Sequence, residues 1–258
     1  MRTAAALLVS CLVWPSGYAA DDDDTADVSA KLQRAGGDGQ KKYHLVSYKK
    51  VDRPPKGGFG VLVVLPGGDG SADFLPFGKR VFKYAVPPGF LVAQLVAPKW
   101  TPTQEIVWPT EKNKADVEGL KFTTEEFVTA VLDDVADKYE IDPTRVWTLA
   151  WSSGGPAAYA VALSNPKVTG SFVAMSVFKP DQLPPLEKAK GKPFYLYHSE
   201  EDETCPYEMA EEAEKKLGEA EAKVRLVTYD GGHGWKGDVY GDLKTGFKWL
   251  EKNKPEGK

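Results

Sequence analysis

A five-residue turn, Ala150-Trp151-Ser152-Ser153-Gly154, constrains this chain more than any other segment. Residues 145–150 before it are apolar and β-prone, and residues 154–163 after it have the small side chains of a tightly packed helix. A strand that turns into a helix over so few residues holds the central serine in a strained backbone. Its hydroxyl is raised clear of the sheet, with the positive end of the helix beneath it. Such an elbow accepts only small residues two positions either side. With Ser152 at the centre these are Ala150 and Gly154; with Ser153 they are Trp151 and Gly155, and an indole would have to fit where strand meets helix. Ser152 is therefore the candidate nucleophile. Glycine is usual at the first position, and Ala150 departs from it by one methyl group.

The chain around this turn is long enough for one sizeable α/β domain: 258 residues, 42% hydrophobic and 27% charged. Residues 1–20 read as a secretory signal peptide, with Arg2 as the positive start, a short apolar run from Ala4 to Trp14, and small residues at Gly17, Ala19 and Ala20 for cleavage. Leu8-Val9-Ser10-Cys11 also resembles a lipoprotein signal with lipid on Cys11, the lesser reading because the residues that follow stay apolar. Removal of the leader takes Cys11 and Arg2 with it, moving the net charge from −4 to −5 and leaving Cys205 as a lone thiol. A mildly acidic chain with no basic run argues against a nucleic-acid partner, and no stretch is long and apolar enough to suggest a transmembrane segment. Residues 21–42, opening with Asp21-Asp22-Asp23-Asp24, are expected to be a polar flexible tether. The catalytic domain is expected over 43–252, followed by a polar tail, 253–258.

Within 43–252, strands are expected at 43–48, 60–65, 90–97, 145–150, 171–177, 193–198 and 223–229. They alternate with helices at 124–139, 154–163, 207–217 and 240–252, the first capped by Thr123 or Thr124. This succession implies a mostly parallel central sheet with helices on both faces. The proline-rich loop 178–192 is too short for a large lid. The longest unpatterned stretch, 99–122, carries Trp100 and Trp108 and must run near the strand ends. These two tryptophans, with Trp151 and Trp235, either pack in the core or rim, the commoner fate, or line a substrate cleft.

A serine hydroxyl needs a base to take its proton and a carboxylate to orient that base. Of three histidines, His44 lies in an early strand and His198 closes another. His233 sits in the glycine-rich loop Asp230-Gly231-Gly232-His233-Gly234, which can bring an imidazole over the sheet, and is the candidate base. The turn after residue 198 crowds Glu200, Glu201, Asp202 and Glu203 together, and charge alone does not choose among them. Upstream, Pro66-Gly67-Gly68-Asp69-Gly70 follows an apolar strand, and its glycines let backbone N–H groups approach a ligand. The backbone amides of Gly68 and Ser153 are the expected donors to an oxyanion. No two histidines share metal-ligand spacing.

Ser152, the acid turn and His233 in that order, with Leu65-Pro66-Gly67-Gly68-Asp69 upstream, resemble the α/β-hydrolase superfamily, and within it the small phospholipase/carboxylesterase and feruloyl-esterase-like serine hydrolases. The resemblance spans about residues 43–252. It selects Asp202 as the acid, with Glu201 as runner-up, because the family's turn usually reads His-Gly-x-x-Asp and His198-Ser199-Glu200-Glu201-Asp202 departs from that only at Ser199. The oxyanion loop often begins His-Gly, where this chain has Pro66-Gly67. The resemblance implies cofactor-free hydrolysis of a small or polymer-borne carboxylic ester through an acyl-enzyme. Thioesters or peptides on the same triad, or an inactive binding protein on the same scaffold, are the alternatives.

Overall fold

Continuous apolar runs become the interior strands. The computed structural model describes residues 22–50 and 53–256. Its strands are β1 (Val28–Arg34), β2 (Lys42–Tyr48), β3 (Phe59–Leu65), β4 (Phe90–Leu95), β5 (Ile141–Trp151), β6 (Gly170–Ala174), β7 (Pro193–His198) and β8 (Lys223–Thr228). The helices are α1 (Leu75–Tyr84), α2 (Thr124–Ala136), α3 (Gly155–Ser164), α4 (Glu208–Glu219) and α5 (Val239–Asn253). Among the described residues, the strands form one sheet in the order β1-β2-β4-β3-β5-β6-β7-β8. The pairs from β4 through β8 are parallel, and those involving β1 and β2 are antiparallel.

Strands β3, β4, β6 and β7 are buried along their whole length, as expected where helices cover both faces. Successive side chains of β3 divide between two cores: Val61, Val63 and Leu65 meet α2 and α3, whereas Leu62 and Val64 join Val81 of α1 and Phe247 of α5. This is the expected α/β-hydrolase architecture, with no large extra domain among the described residues. The central position of β5, between β3 and β6, carries the elbow to the middle of the sheet's C-terminal edge. Thr123 is the residue that caps α2, in a reciprocal box with Glu126.

The tether, one helix and one strand end differ from expectation, and the leader is not reached. The leader, 1–20, with Cys11, lies outside the described residues. The stretch expected as a tether, 21–42, contains β1, which pairs in register with β2 from Val28↔Tyr48 to Arg34↔Lys42. The acids ahead of it have partners: Asp24 accepts from Arg80 Nε at 3.0 Å, and Asp27 from Lys83 Nζ at 2.7 Å. Composition suggested solvation, but the cations that hold this segment lie some 55 residues downstream on α1. That helix itself is absent from the sequence reading, because Pro76 and Gly78 interrupt a short run. Pro76 is tolerated in the first turn, and Gly78 faces Gln94, whose Oε1 would lie 2.0 Å from any Cβ there. Strand β6 also stops at Ala174 rather than 177, because Met175 turns into the left-handed region at φ 39°. The C-terminal tail begins after Asn253.

The segment before β1 is thus part of the fold. Asp24→Ala should lower the midpoint of urea unfolding by removing the carboxylate that Arg80 Nε and the segment before β1 share. A variant as stable as wild type would restore the tether.

Candidate active site

The elbow has the geometry its sequence requires. Ser152 sits at φ 52°, a left-handed conformation costly for serine, and one 3-10 turn, Ser152–Gly154, links β5 to α3. A Cβ on Gly154 would come within 2.2 Å of the Leu65 carbonyl oxygen, so this position admits glycine alone. Ala150 is fully buried opposite it. Ser176 holds the turn from beyond β6: its hydroxyl donates to the Ser152 carbonyl at 2.9 Å. The strained Met175 immediately before it ends the strand there.

His233 reaches Ser152 from the loop after β8, where Gly231, Gly232 and Gly234 take φ of 116°, 74° and 139°. Its Nδ1 lies 2.8 Å from Asp202 Oδ2 and 3.0 Å from Oδ1, and its Nε2 lies 3.0 Å from Ser152 Oγ. An ionised carboxylate only accepts, so Nδ1 carries the proton and Nε2 is left to accept from the serine hydroxyl. Three residues expected to work together are therefore joined in one hydrogen-bonded chain. Glu201, the runner-up acid, instead accepts from the backbone N–H of Gly231 at 3.1 Å and so braces the histidine loop.

The Asp202 side chain is fully buried. Burial by itself pushes its carboxyl up; hydrogen bonds from His198, His233 and the Cys205 N–H, with the nearby imidazole's charge, outweigh it and hold Asp202 well below the usual carboxylate range. Oδ1 accepts from the N–H groups of Thr204 at 2.9 Å and Cys205 at 2.8 Å. His198 Nε2 lies 3.1 Å from Oδ2 and 2.8 Å from the Cys205 carbonyl, so it too must carry its proton and donate to both. In the sequence, His198 stands only as the end of a strand. Its four-residue offset from Asp202 was the available signal. Ser199, the departure from glycine, accepts from Gly232 N–H at 3.1 Å and Glu201 N–H at 3.2 Å, tying the acid turn to the histidine loop.

The loop after β3 lies beside the elbow. Ser153 Oγ donates to the Gly68 carbonyl at 2.8 Å, fixing the peptide next to both expected oxyanion donors. The hydroxyl of Ser153, set aside in choosing the nucleophile, thus has a separate attachment. Trp108 donates from Nε1 to the Pro66 carbonyl at 2.8 Å. The cleft reading fails for three of the four tryptophans: Trp108, Trp151 and Trp235 are 3%, 3% and 7% exposed. Trp151 packs edge-on against Phe74, Phe77 and Trp235 and occupies the space that a side chain on Gly67 would need. Trp100 is half-buried on Phe122. Large flat rings gain more from burial than from a rim position, and these support the loops from beneath.

Asp202, Cys205 and His233 place donor atoms within 4.8 Å of one another, a spacing that would suit a metal ion. Burial and the Asp202 charge push the Cys205 thiol up to about 12, which keeps it protonated and a poor ligand. Both other groups already spend their donor atoms on the hydrogen-bonded chain.

Two outcomes follow from this geometry. Gly154→Ala should cost about 1–3 kcal/mol of stability through the clash with Leu65; an unchanged thermal midpoint would contradict the close approach. Because Asp202 titrates lower folded than unfolded, its stabilisation is complete above about pH 4 and drains away as pH falls through the folded value. The stability gap between wild type and Asp202→Asn in urea should therefore be widest near neutrality and shrink in acid. A gap independent of pH would contradict it.

Solved structures similar to this chain include a thermostable esterase from Pseudomonas putida ECU1011, at 15% identity and TM-score 0.63, covering 91% of this chain and 86% of that one. Thermogutta terrifontis esterase 2, phosphonylated by cyclosarin, matches at 14% identity and TM-score 0.65, covering 87% of this chain and 94% of that one. A Bacillus cereus carboxylesterase matches at 18% identity and TM-score 0.58, covering 90% and 97% respectively. At such identities the likeness is one of fold. No curated protein matches the chain. The profile of the dienelactone hydrolase family matches residues 98–240, more than half of the sequence, a span that contains Ser152, Asp202 and His233 but not the loop after β3. With its parallel sheet, central elbow and matched span, the chain belongs to the dienelactone hydrolase family.

Proposed function

We propose that the protein is a serine esterase that hydrolyses carboxylic esters through an acyl-enzyme. The observation that supports this most is the chain Asp202–His233–Ser152, in which the acceptor-only carboxylate keeps the proton on His233 Nδ1 and leaves Nε2 to accept from the serine hydroxyl. Ser152 Oγ attacks the ester carbonyl carbon as His233 Nε2 takes its proton. The developing oxyanion is held by the backbone N–H groups of Ser153 and Gly68. Collapse breaks the bond to the alcohol, which leaves with the proton from His233. Water then gives a proton to the same Nε2 and attacks the acyl carbon; collapse of that intermediate breaks the bond to Ser152 Oγ, which takes the proton back from His233 as the acid leaves. Asp202 stays ionised throughout, orienting the imidazole and stabilising its cation.

A fluorophosphonate probe tests the nucleophile, a fitting reagent because Thermogutta terrifontis esterase 2 is recorded in a phosphonylated form. Labelling should occur on Ser152 and disappear in Ser152→Ala. An adduct that persists in that variant, or none on wild type, would reject the reading. Asp202→Asn, which favours the wrong tautomer of His233, should lower kcat by about 10⁴-fold on nitrophenyl esters.

Ser153 positions the oxyanion loop through its bond to Gly68. Ser153→Ala should lower kcat by up to about 10²-fold with KM little changed, while Ser153→Thr, which keeps the hydroxyl, recovers part of the loss. Equal losses in the two variants would show that bulk at this position matters rather than the hydrogen bond.

A further inference from the structure

At the opposite end of the sheet from Ser152, a groove of about 600 Å³ opens between the start of β3 and β4, the end of α1 and the C-terminal half of α5. That volume is in the range of small-molecule sites. Its walls are aromatic. Tyr48 and Tyr84, 44% and 40% exposed, stand at its mouth, and the Tyr48 ring packs on Phe82 at 4.9 Å. Its rim is cationic. Lys50 and Arg53, from the segment after β2, and Lys244 and Lys248, from α5, all line it, and among the described residues none of the four side chains has a hydrogen-bonding or ion-pairing partner. Lys83 also lines the groove but is held by Asp27. The acid on this rim, Glu251, is taken by Arg145 at 3.1 Å.

The arrangement sets a positive rim beside an apolar wall. Lys244 and Lys248 are four residues apart on one helix, where like charges repel. Among the described residues, a chain of net charge −4 gathers four cations without an ion-pair partner around one concavity, and two large aromatic rings are partly exposed there as well. We infer that this groove binds a small amphipathic anion, with a carboxylate or similar head between the two pairs of cations and an apolar body on the Tyr48, Phe82 and Tyr84 surface. The concave shape selects a single ligand over a lipid surface, since a membrane-docking face offers its apolar side chains outward. The site is remote from Ser152 and independent of the esterase reading.

Decanoate, below its micelle concentration, is the probe, with decyl maltoside as its uncharged counterpart, followed by calorimetric titration. Wild type and Ser152→Ala should bind decanoate alike, saturably and at one site. Lys244→Glu/Lys248→Glu and, separately, Lys50→Glu/Arg53→Glu should each weaken binding by about tenfold or more while leaving the thermal midpoint and any esterase activity intact. Decyl maltoside should bind far more weakly. The inference is overturned by any of four results: no saturable binding, equal affinity in the charge-reversal variants, loss of binding in Ser152→Ala, or binding confined to vesicles containing phosphatidylglycerol.

Discussion

The buried carboxylate of Asp202 is the interaction on which the site depends. It has no contact with water, and burial alone would neutralise it. Instead, donors arrive from three directions: the end of β7 through His198, the turn that follows through Thr204 and Cys205, and the loop after β8 through His233. Each donor is worth more for being desolvated, and removing the carboxylate would leave the Thr204 and Cys205 N–H groups and His233 Nδ1–H without their acceptor, whereas His198 would keep the Cys205 carbonyl. One side chain therefore fixes both the protonation of Asp202 and the tautomer of His233. The orientation of His233 toward Ser152 follows from that tautomer.

Around this centre, the loops are fastened to one another as well as to the sheet. Ser199 and Glu201 attach the acid turn to the histidine loop, Ser153 attaches the elbow to the loop after β3, and Ser176 attaches the elbow to the end of β6. Beneath them, Trp108, Trp151 and Trp235 fill the space that would otherwise let the loops sag. Such support is what keeps donors in place before a substrate arrives, and a site that must not reorganise during reaction benefits from it.

Much of this was legible in the sequence, for reasons that differ by residue. Ser152 could be picked over Ser153 because the elbow's steric rule is local, and its neighbours are adjacent in the chain. His233 could be picked because its glycines declare an unusual backbone. Asp202 could not be separated from three neighbouring acids by charge, since what distinguishes it is burial and the donors that surround it. β1 and α1 escaped notice for a related reason: Asp24 and Asp27 looked solvated until Arg80 and Lys83 were brought to them, and Pro76 and Gly78 disguised a helix whose fit to Gln94 is tertiary. The tryptophans left two readings open, packing or cleft, because sequence shows an aromatic ring but not which side of it faces water; the favoured packing holds for Trp108, Trp151 and Trp235.

The central claim is that Ser152 becomes acylated during turnover. The direct measurement is acid quenching of the enzyme during turnover of 4-nitrophenyl butyrate, followed by mass analysis of its peptides. The account predicts a butyryl group on the peptide carrying Ser152, formed within the burst of nitrophenolate and absent from Ser152→Ala. Full turnover with no acylated peptide, or acylation on Ser153 or Cys205 instead, would contradict it.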